Sequence, residues 1–130
     1  MVDIPKNARV VIVGGGIVGC SVAYHLALRG CTDVVLLERK QLTSGTTWHA
    51  AGLVGQLRAT HNLTRLAQYT TNLFKTLEAQ TGQATGFQQR GSVAVAPNLE
   101  RFEELKRGAS MARVFGLDVN IITPKEISEL

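Results

Sequence analysis

Gly14-Gly15-Gly16-Ile17-Val18-Gly19 constrains this chain more than any other stretch, because glycines at the first, third and sixth positions suit only a narrow set of turns. What flanks the turn narrows the set further. Ahead of it, the apolar run "RVVIV" at residues 9–13 reads as a buried strand. Behind it, Val18, Val22, Leu26 and Ala23, Ala27 recur at three- and four-residue spacing, which predicts a helix over 17–29 stopped by Gly30. "DVVLLE" at 33–38 is a second buried strand. Strand, glycine turn, helix and strand make a βαβ unit, whose crossover sets the two strands parallel.

In such a unit each part of the turn has a job. Gly14 permits the tight bend, Gly16 lets the backbone approach a diphosphate, and Gly19 lets the helix pack closely on the strand. The amides at the helix start, those of Ile17 and Val18 included, and the helix dipole favour phosphate oxygens. Glu38, nineteen residues after Gly19, can accept hydrogen bonds from the hydroxyls of an adenosine ribose. A 2′-phosphate would repel that carboxylate, which argues against NADP. An ordinary glycine-rich turn is the bland alternative, but the strand, helix and acid coincide with the glycines. Arg39 stacks on an adenine or is simply solvated; both readings stand.

Further along, residues 41–62 are polar and glycine-studded, with little periodicity. The best helix runs over 63–80, with Leu63, Leu66, Ala67, Thr70, Leu73, Phe74 and Leu77 as its core stripe, Asn62 as cap and Gly82 as stop. "GSVAVAP" at 91–97 alternates like a strand, 98–115 is a second amphipathic helix ended by Gly116, and 118–122 predicts a short strand. Thr123-Pro124-Lys125-Glu126 is a capping box with proline at the first helical position, and Ile127 and Leu130 begin an apolar face. Seven residues from Pro124 are too few for a helix without tertiary support, so the chain is expected to be the N-terminal portion of something larger.

Charge and composition exclude several classes. The net charge of +4 comes from scattered basic residues rather than a cluster, so no nucleic-acid partner is expected. No apolar run approaches the ~20 residues that cross a bilayer, so no membrane partner is expected either. The N-terminus lacks a leader pattern, and a cytoplasmic location is the default expectation. Cys20 and Cys31 lie about 15 Å apart if the helix runs between them, beyond disulfide reach, and read as small core residues. No metal-ligand cluster is present in the sequence.

"SGTTWHAAG" at 44–52 sets one tryptophan and one histidine among residues with almost no side chain. Small residues imply that something approaches the backbone. His49 implies a proton, a metal or a nucleophile, against the bland reading of an imidazole on a solvated loop. His25 reads as a packed or surface side chain, His61 as structural, and Trp48 as core or as a shield for a ligand edge.

Ala23, Leu26 and Gly30 extend the glycine pattern, and with "VVLLER" after them the N-terminus resembles the D-amino-acid-oxidase-type flavoproteins, which bind FAD. "LTSGTTWHAAGL" at 42–53, "LAQYT" at 66–70 and "GFQQRGSVAVA" at 86–96 resemble the sarcosine and dimethylglycine dehydrogenase branch. The resemblance covers residues 8–130. It implies an α/β fold: a Rossmann-like FAD-binding βαβ unit (9–38), a flavin and pyrophosphate loop (41–62), and the start of a mixed-sheet substrate region (86–130), together an incomplete FAD/NAD(P)-binding fold. It implies that His49 joins the flavin covalently, through an imidazole nitrogen and the 8α-methyl. Ala50, Ala51 and Gly52 would then keep side chains out of the ring plane, with Leu53 also among the cofactor-binding residues, while Ser44, Gly45, Thr46 and Thr47 meet the pyrophosphate from the side opposite Gly14–Gly19.

The activity implied is oxidation of a secondary or tertiary N-methyl amine by hydride transfer to FAD, giving an iminium that hydrolyses to formaldehyde. Electrons would leave to an electron-transfer flavoprotein or to oxygen. Catalytic residues are not identifiable in this stretch, and the chain by itself is expected to be inactive. Two rivals are carried: an NAD-linked dehydrogenase using the same cradle, which leaves 44–52 unexplained, and a non-catalytic regulatory subunit of the same fold.

Overall fold

A computed structural model describes residues 5–129. β1 (Val10–Val13), α1 (Ile17–Leu28) and β2 (Val34–Leu37) follow one another as the glycine pattern predicts. The strands are parallel neighbours, with Val10 opposite Val34 and Val13 opposite Leu37. Side-chain and backbone bonds close the lower end, where Val10 N donates to Asp33 O at 3.2 Å and Arg9 N to Asp33 Oδ2 at 3.0 Å. α1 packs on both strands. It ends in a Schellman motif: Gly30 takes φ +77°, Gly30 N donates to Ala27 O, and Cys31 N donates to Leu26 O.

This first unit, Met1–Leu53, is apolar beyond what it buries. α1 is apolar all round, yet none of its side chains is fully buried. Val13 is 84% exposed on β1 and Val18 74% exposed on α1. A helix without a polar face is one that a larger core surrounds. Both cysteines are free thiols and only half-buried, so the expectation of core residues is met in part.

The second unit, Val54–Leu130, is helical. α2 spans His61–Thr81, α3 Leu99–Val114 and α4 Pro124–Ile127, after a short 3-10 turn, Thr46–His49, in the first unit. α2 starts earlier than expected. Thr60 rather than Asn62 is the cap, because its extended backbone (φ −130°, ψ 156°) aims its hydroxyl at Leu63 N, 3.3 Å away. Asn98 caps α3 by accepting from Arg101 N at 2.9 Å. The Thr123–Glu126 capping box forms with both of its reciprocal bonds. Leu130, expected on the apolar face of that last helix, lies outside the described residues.

The expected core stripe of α2 is corrected in part: Ala67, Thr70, Leu73, Phe74 and Leu77 are half-buried. Leu63 and Leu66 are more than half exposed, and the fully buried positions are Thr64 and Thr71, with Ala109 and Ala112 on α3. Threonine can lie there because its hydroxyl is satisfied. Thr64 Oγ1 accepts from Arg58 N and donates to Arg58 O, and Thr71 Oγ1 donates to Ala67 O. Gln68 Nε2 reaches Phe115 O at 3.4 Å, and the His61 ring lies 5.2 Å from that of Phe115, a packing role for His61.

The strands expected at 91–97 and 118–122 are likewise corrected: among the described residues the sheet has two strands, β1 and β2. Alternating residues become a strand only when a neighbour completes the ladder, and no neighbouring strand is present here. Among the described residues no helix is long and apolar enough to cross a membrane.

Candidate dinucleotide site

The glycine turn is shaped by what a side chain would hit. A Cβ on Gly19 would lie 2.0 Å from Gly14 O, a backbone atom that cannot step aside, so helix and turn meet only through glycine. Gly14 itself sits at φ +105°, and its amide donates to Leu37 O at 2.8 Å, continuing the sheet into the turn. A Cβ on Gly16 would meet Thr47 Oγ1 at 3.1 Å. Gly15, to which the sequence pattern assigns no task, is confined by side chains rather than backbone: its Cβ would come within 2.5 Å of Leu42 Cδ2 and 3.1 Å of Glu38 Cβ.

At the start of α1 the first helical bond runs from Cys20 N to Gly16 O, which leaves the amides of Ile17, Val18 and Gly19 without partners inside the helix. Thr47 Oγ1 accepts the Ile17 amide at 2.9 Å. Glu38 stands beside them, at the end of β2. Its Oε2 accepts from Gly15 N at 2.8 Å and its Oε1 from Lys40 N at 2.9 Å. The Gly15 amide, then that of Lys40, hold this carboxyl below the usual carboxylate range, so it is ionised at neutral pH. A carboxylate offers about four acceptor positions, so roughly two remain for hydroxyl donors.

The loop after β2 folds back over the turn. Thr43 N donates to Gly15 O at 2.8 Å, and Thr43 has φ +65°, a left-handed backbone that a β-branched residue rarely adopts. Trp48 N then donates to Thr43 O, and the 3-10 turn Thr46–His49 follows. Ser44 Oγ donates to Gln41 O at 2.8 Å, so its hydroxyl is engaged within the loop. Trp48 is 76% exposed rather than core, and with Gln41, Leu42, Thr43 and Ser44 it lines an open depression of about 340 Å³.

Direct bonds therefore bring Gly15, Ile17, Glu38, Thr43 and Thr47 together around Gly14–Gly19. Among the described residues, no hydrogen bond joins Arg39, Ser44, Gly45, Thr46, His49, Ala50, Gly52 or Leu53 to the turn. His49 and Ala50 are exposed, and Leu53 is 90% exposed. Sequence reasoning missed Gly15, Leu42 and Thr43. The run of three consecutive glycines was the one available signal, and nothing in a threonine announces a left-handed backbone.

The arrangement fits a dinucleotide. Glycines keep the turn open at three places, amides of Val18 and Gly19 have no helical partner, and an ionised acid stands at the end of the neighbouring strand. Comparison with known proteins agrees. A family model described as FAD dependent oxidoreductase matches residues 9–130. Human (Homo sapiens) mitochondrial sarcosine dehydrogenase is 42% identical over 128 residues, which are 98% of this chain and 14% of that protein. Mitochondrial dimethylglycine dehydrogenase of Rattus norvegicus is 45% identical over 124 residues, 95% of this chain and again 14% of the relative. The crystal structure of L-proline dehydrogenase from P. horikoshii superposes with a TM-score of 0.86 at 28% identity, over 97% of this chain and 33% of that one. The chain thus spans about a seventh of the length of the two dehydrogenases it matches.

Proposed function

Since this chain belongs to the D-amino-acid-oxidase-type family of FAD-dependent oxidoreductases, we propose that the full-length protein oxidises a secondary or tertiary N-methyl amine of the sarcosine or dimethylglycine kind. The amides of Val18 and Gly19, beside Gly14, Gly16 and Ile17, hold the pyrophosphate of FAD. Glu38 receives the ribose hydroxyls, and the same carboxylate turns away a 2′-phosphate. Arg39 flanks the adenine. Ser44, Gly45, Thr46 and Thr47 form the second wall of the phosphate site. Ala50, Gly52 and Leu53 border the ring, and His49, a competent nucleophile when neutral, is its covalent anchor. Bound there, FAD supplies two-electron acceptance: the amine yields a hydride, and the resulting iminium is hydrolysed to formaldehyde and the demethylated amine. Electrons then pass to an electron-transfer flavoprotein or to oxygen.

The observation that carries this reading is the return of the 42–49 loop onto the glycine turn, through Thr43 N to Gly15 O and Ile17 N to Thr47 Oγ1. An NAD-linked enzyme needs the turn but gives no reason for that loop to be fastened to it. The test uses the full-length protein. Acid precipitation is expected to leave a yellow pellet, and anaerobic sarcosine or dimethylglycine is expected to bleach the native protein. Yellow in the supernatant would reject the anchor while keeping FAD. A colourless protein that takes up no FAD would reject the reading in favour of an NAD-linked or regulatory role.

A further inference from the structure

We infer that Thr47 is a positioning residue for His49: its hydroxyl fastens the turn that carries the imidazole to the leading amide of α1. The inference rests on the FAD reading above and extends it to a residue that need not touch the ring.

Four observations converge on it. First, no hydrogen bond or ring contact holds the His49 side chain among the described residues, so its place is set by the backbone of Thr46–His49. Second, that backbone is fastened through Thr47, whose Oγ1 accepts from Ile17 N at 2.9 Å across thirty residues of sequence. Third, the approach is close: a Cβ at position 16 would sit 3.1 Å from the same oxygen, so a side chain there would push the tether back by a few tenths of an ångström. Fourth, the loop is held at its other end by Thr43 N on Gly15 O, at the expense of a left-handed threonine. A backbone forced into that conformation marks a loop whose position the surrounding structure dictates. Thr47 is half-buried while the rest of 44–50 is exposed, as befits the attachment point.

The lever is short. At roughly 2 Å of rise per residue in a 3-10 turn, His49 follows Thr47 by about 4 Å along the axis, so a shift at the tether is passed on almost undiminished. Attachment is sensitive to such shifts, because displacements near 1 Å change the rates of positioned reactions by about a hundredfold. The reaction served is the joining of an imidazole nitrogen to the flavin 8α-carbon. One hydrogen leaves the carbon and one leaves the nitrogen as the N–C bond forms. The two electrons and two protons pass through the ring to dioxygen, giving hydrogen peroxide. Since Thr47 Oγ1 uses a lone pair on Ile17 N, its own proton stays available to a phosphate oxygen, which links cofactor binding to delivery of the imidazole.

The test is reconstitution of full-length apoprotein with FAD, following acid-stable flavin against time at saturating FAD, so that weaker binding does not enter. The dissociation constant for FAD, from flavin fluorescence, and the thermal midpoint are recorded for each variant. Thr47→Val keeps the shape and removes the acceptor; it is expected to attach flavin at least tenfold more slowly while still saturating with FAD. Thr47→Ser keeps the hydroxyl and is expected to stay within about threefold of the unaltered protein. If Thr47→Val attaches flavin at the unaltered rate, or Thr47→Ser is as slow as Thr47→Val, the role assigned to the hydroxyl is overturned while the FAD reading stands. If the unaltered protein saturates with FAD and never retains it in acid, the covalent anchor and this inference fall together.

Discussion

At one place, the turn after β1, the first unit of this molecule uses glycine in a way the second does not. In Met1–Leu53, Gly15 and Gly19 each face an atom that a Cβ would strike, Gly16 is tight against Thr47, and Gly19 faces backbone at 2.0 Å. In Val54–Leu130 no glycine is hemmed in by backbone: Gly82, Gly86, Gly91, Gly108 and Gly116 have open space at the Cβ position, and Gly55 meets only the end of the Arg58 side chain. Glycine at the turn after β1 makes room, whereas Gly30 in the same unit and Gly82 and Gly116 in the second let a helix stop. The fully buried residues invert the contrast. Among the described residues the buried side chains are threonines and alanines of α2 and α3, while the first unit buries only Gly15 and has exposed valines and leucines around a site built from backbone.

Gly19→Ala tests that contrast hardest. The added methyl cannot coexist with Gly14 O, so α1 must move off the turn. Overpacking of this kind costs about 3 kcal/mol or more where backbone has to yield. The full-length protein is expected to lose FAD altogether and to melt well below the unaltered protein, by calorimetry and flavin absorbance. Normal flavin content in this variant would show that helix and turn are not locked together.

Next in size is Thr64→Val against Thr71→Val. Thr64 is wholly buried and satisfies both the N–H and the C=O of Arg58. Valine there strands two backbone groups, at about 1–3 kcal/mol. Thr71 bonds only to Ala67 O within its own helix, so valine should cost less than about 1 kcal/mol. Denaturant melts should separate the two variants, with flavin content unchanged in both. Equal losses would mean that packing, rather than the Arg58 bonds, holds this region.

These residues also mark how far the sequence could be read. The βαβ unit was legible because periodicity, glycine spacing and the acid after β2 all point the same way, and each is a local signal. The capping box at Thr123 was legible for the same reason, while Asn98, read as the first residue of its helix, is instead the cap. The α2 core was partly misread because apolar spacing favours Leu63 and Leu66, whereas burial went to threonines whose hydroxyls found partners in Arg58 and Ala67. The strand expected at 91–97 failed because alternation describes a segment and pairing needs a neighbour that no local pattern identifies. In the site, Gly14, Gly19 and Glu38 were readable, while Thr43 and the Ile17–Thr47 bond depend on where a loop returns in space.

Gly108→Ala is the smaller and opposite test. Gly108 lies inside α3 with nothing near its Cβ position, so alanine gains about 1 kcal/mol of helix propensity and meets no obstacle. The midpoint of unfolding should rise with no change in flavin. A fall would reveal a contact that the open space around Gly108 does not suggest.

The smallest effect expected is set by pH, and each unit has one carboxylate that reports it. Glu38 is held below its ordinary range first by the Gly15 amide, and Glu126 first by the Thr123 amide, from which it accepts at 2.6 Å. A carboxyl whose folded pKa is lowered contributes stability that is complete above its unfolded value, about 4.3 for glutamate, and is lost as pH falls through the folded value. Both contributions should therefore be constant at neutral pH and fade only below about pH 4.3. Glu126 is exposed and Glu38 only half-buried, so the change in overall stability is small. Their readouts differ. Protonating Glu38 frees the Gly15 amide at the mouth of the dinucleotide cradle, so FAD affinity should weaken in acid, and Glu38→Gln should flatten that dependence. Glu126→Gln should alter only the acid limb of helix unfolding. If Glu126→Gln also changed the pH dependence of FAD affinity, the two units would be energetically coupled, and the contrast between them would have to be abandoned.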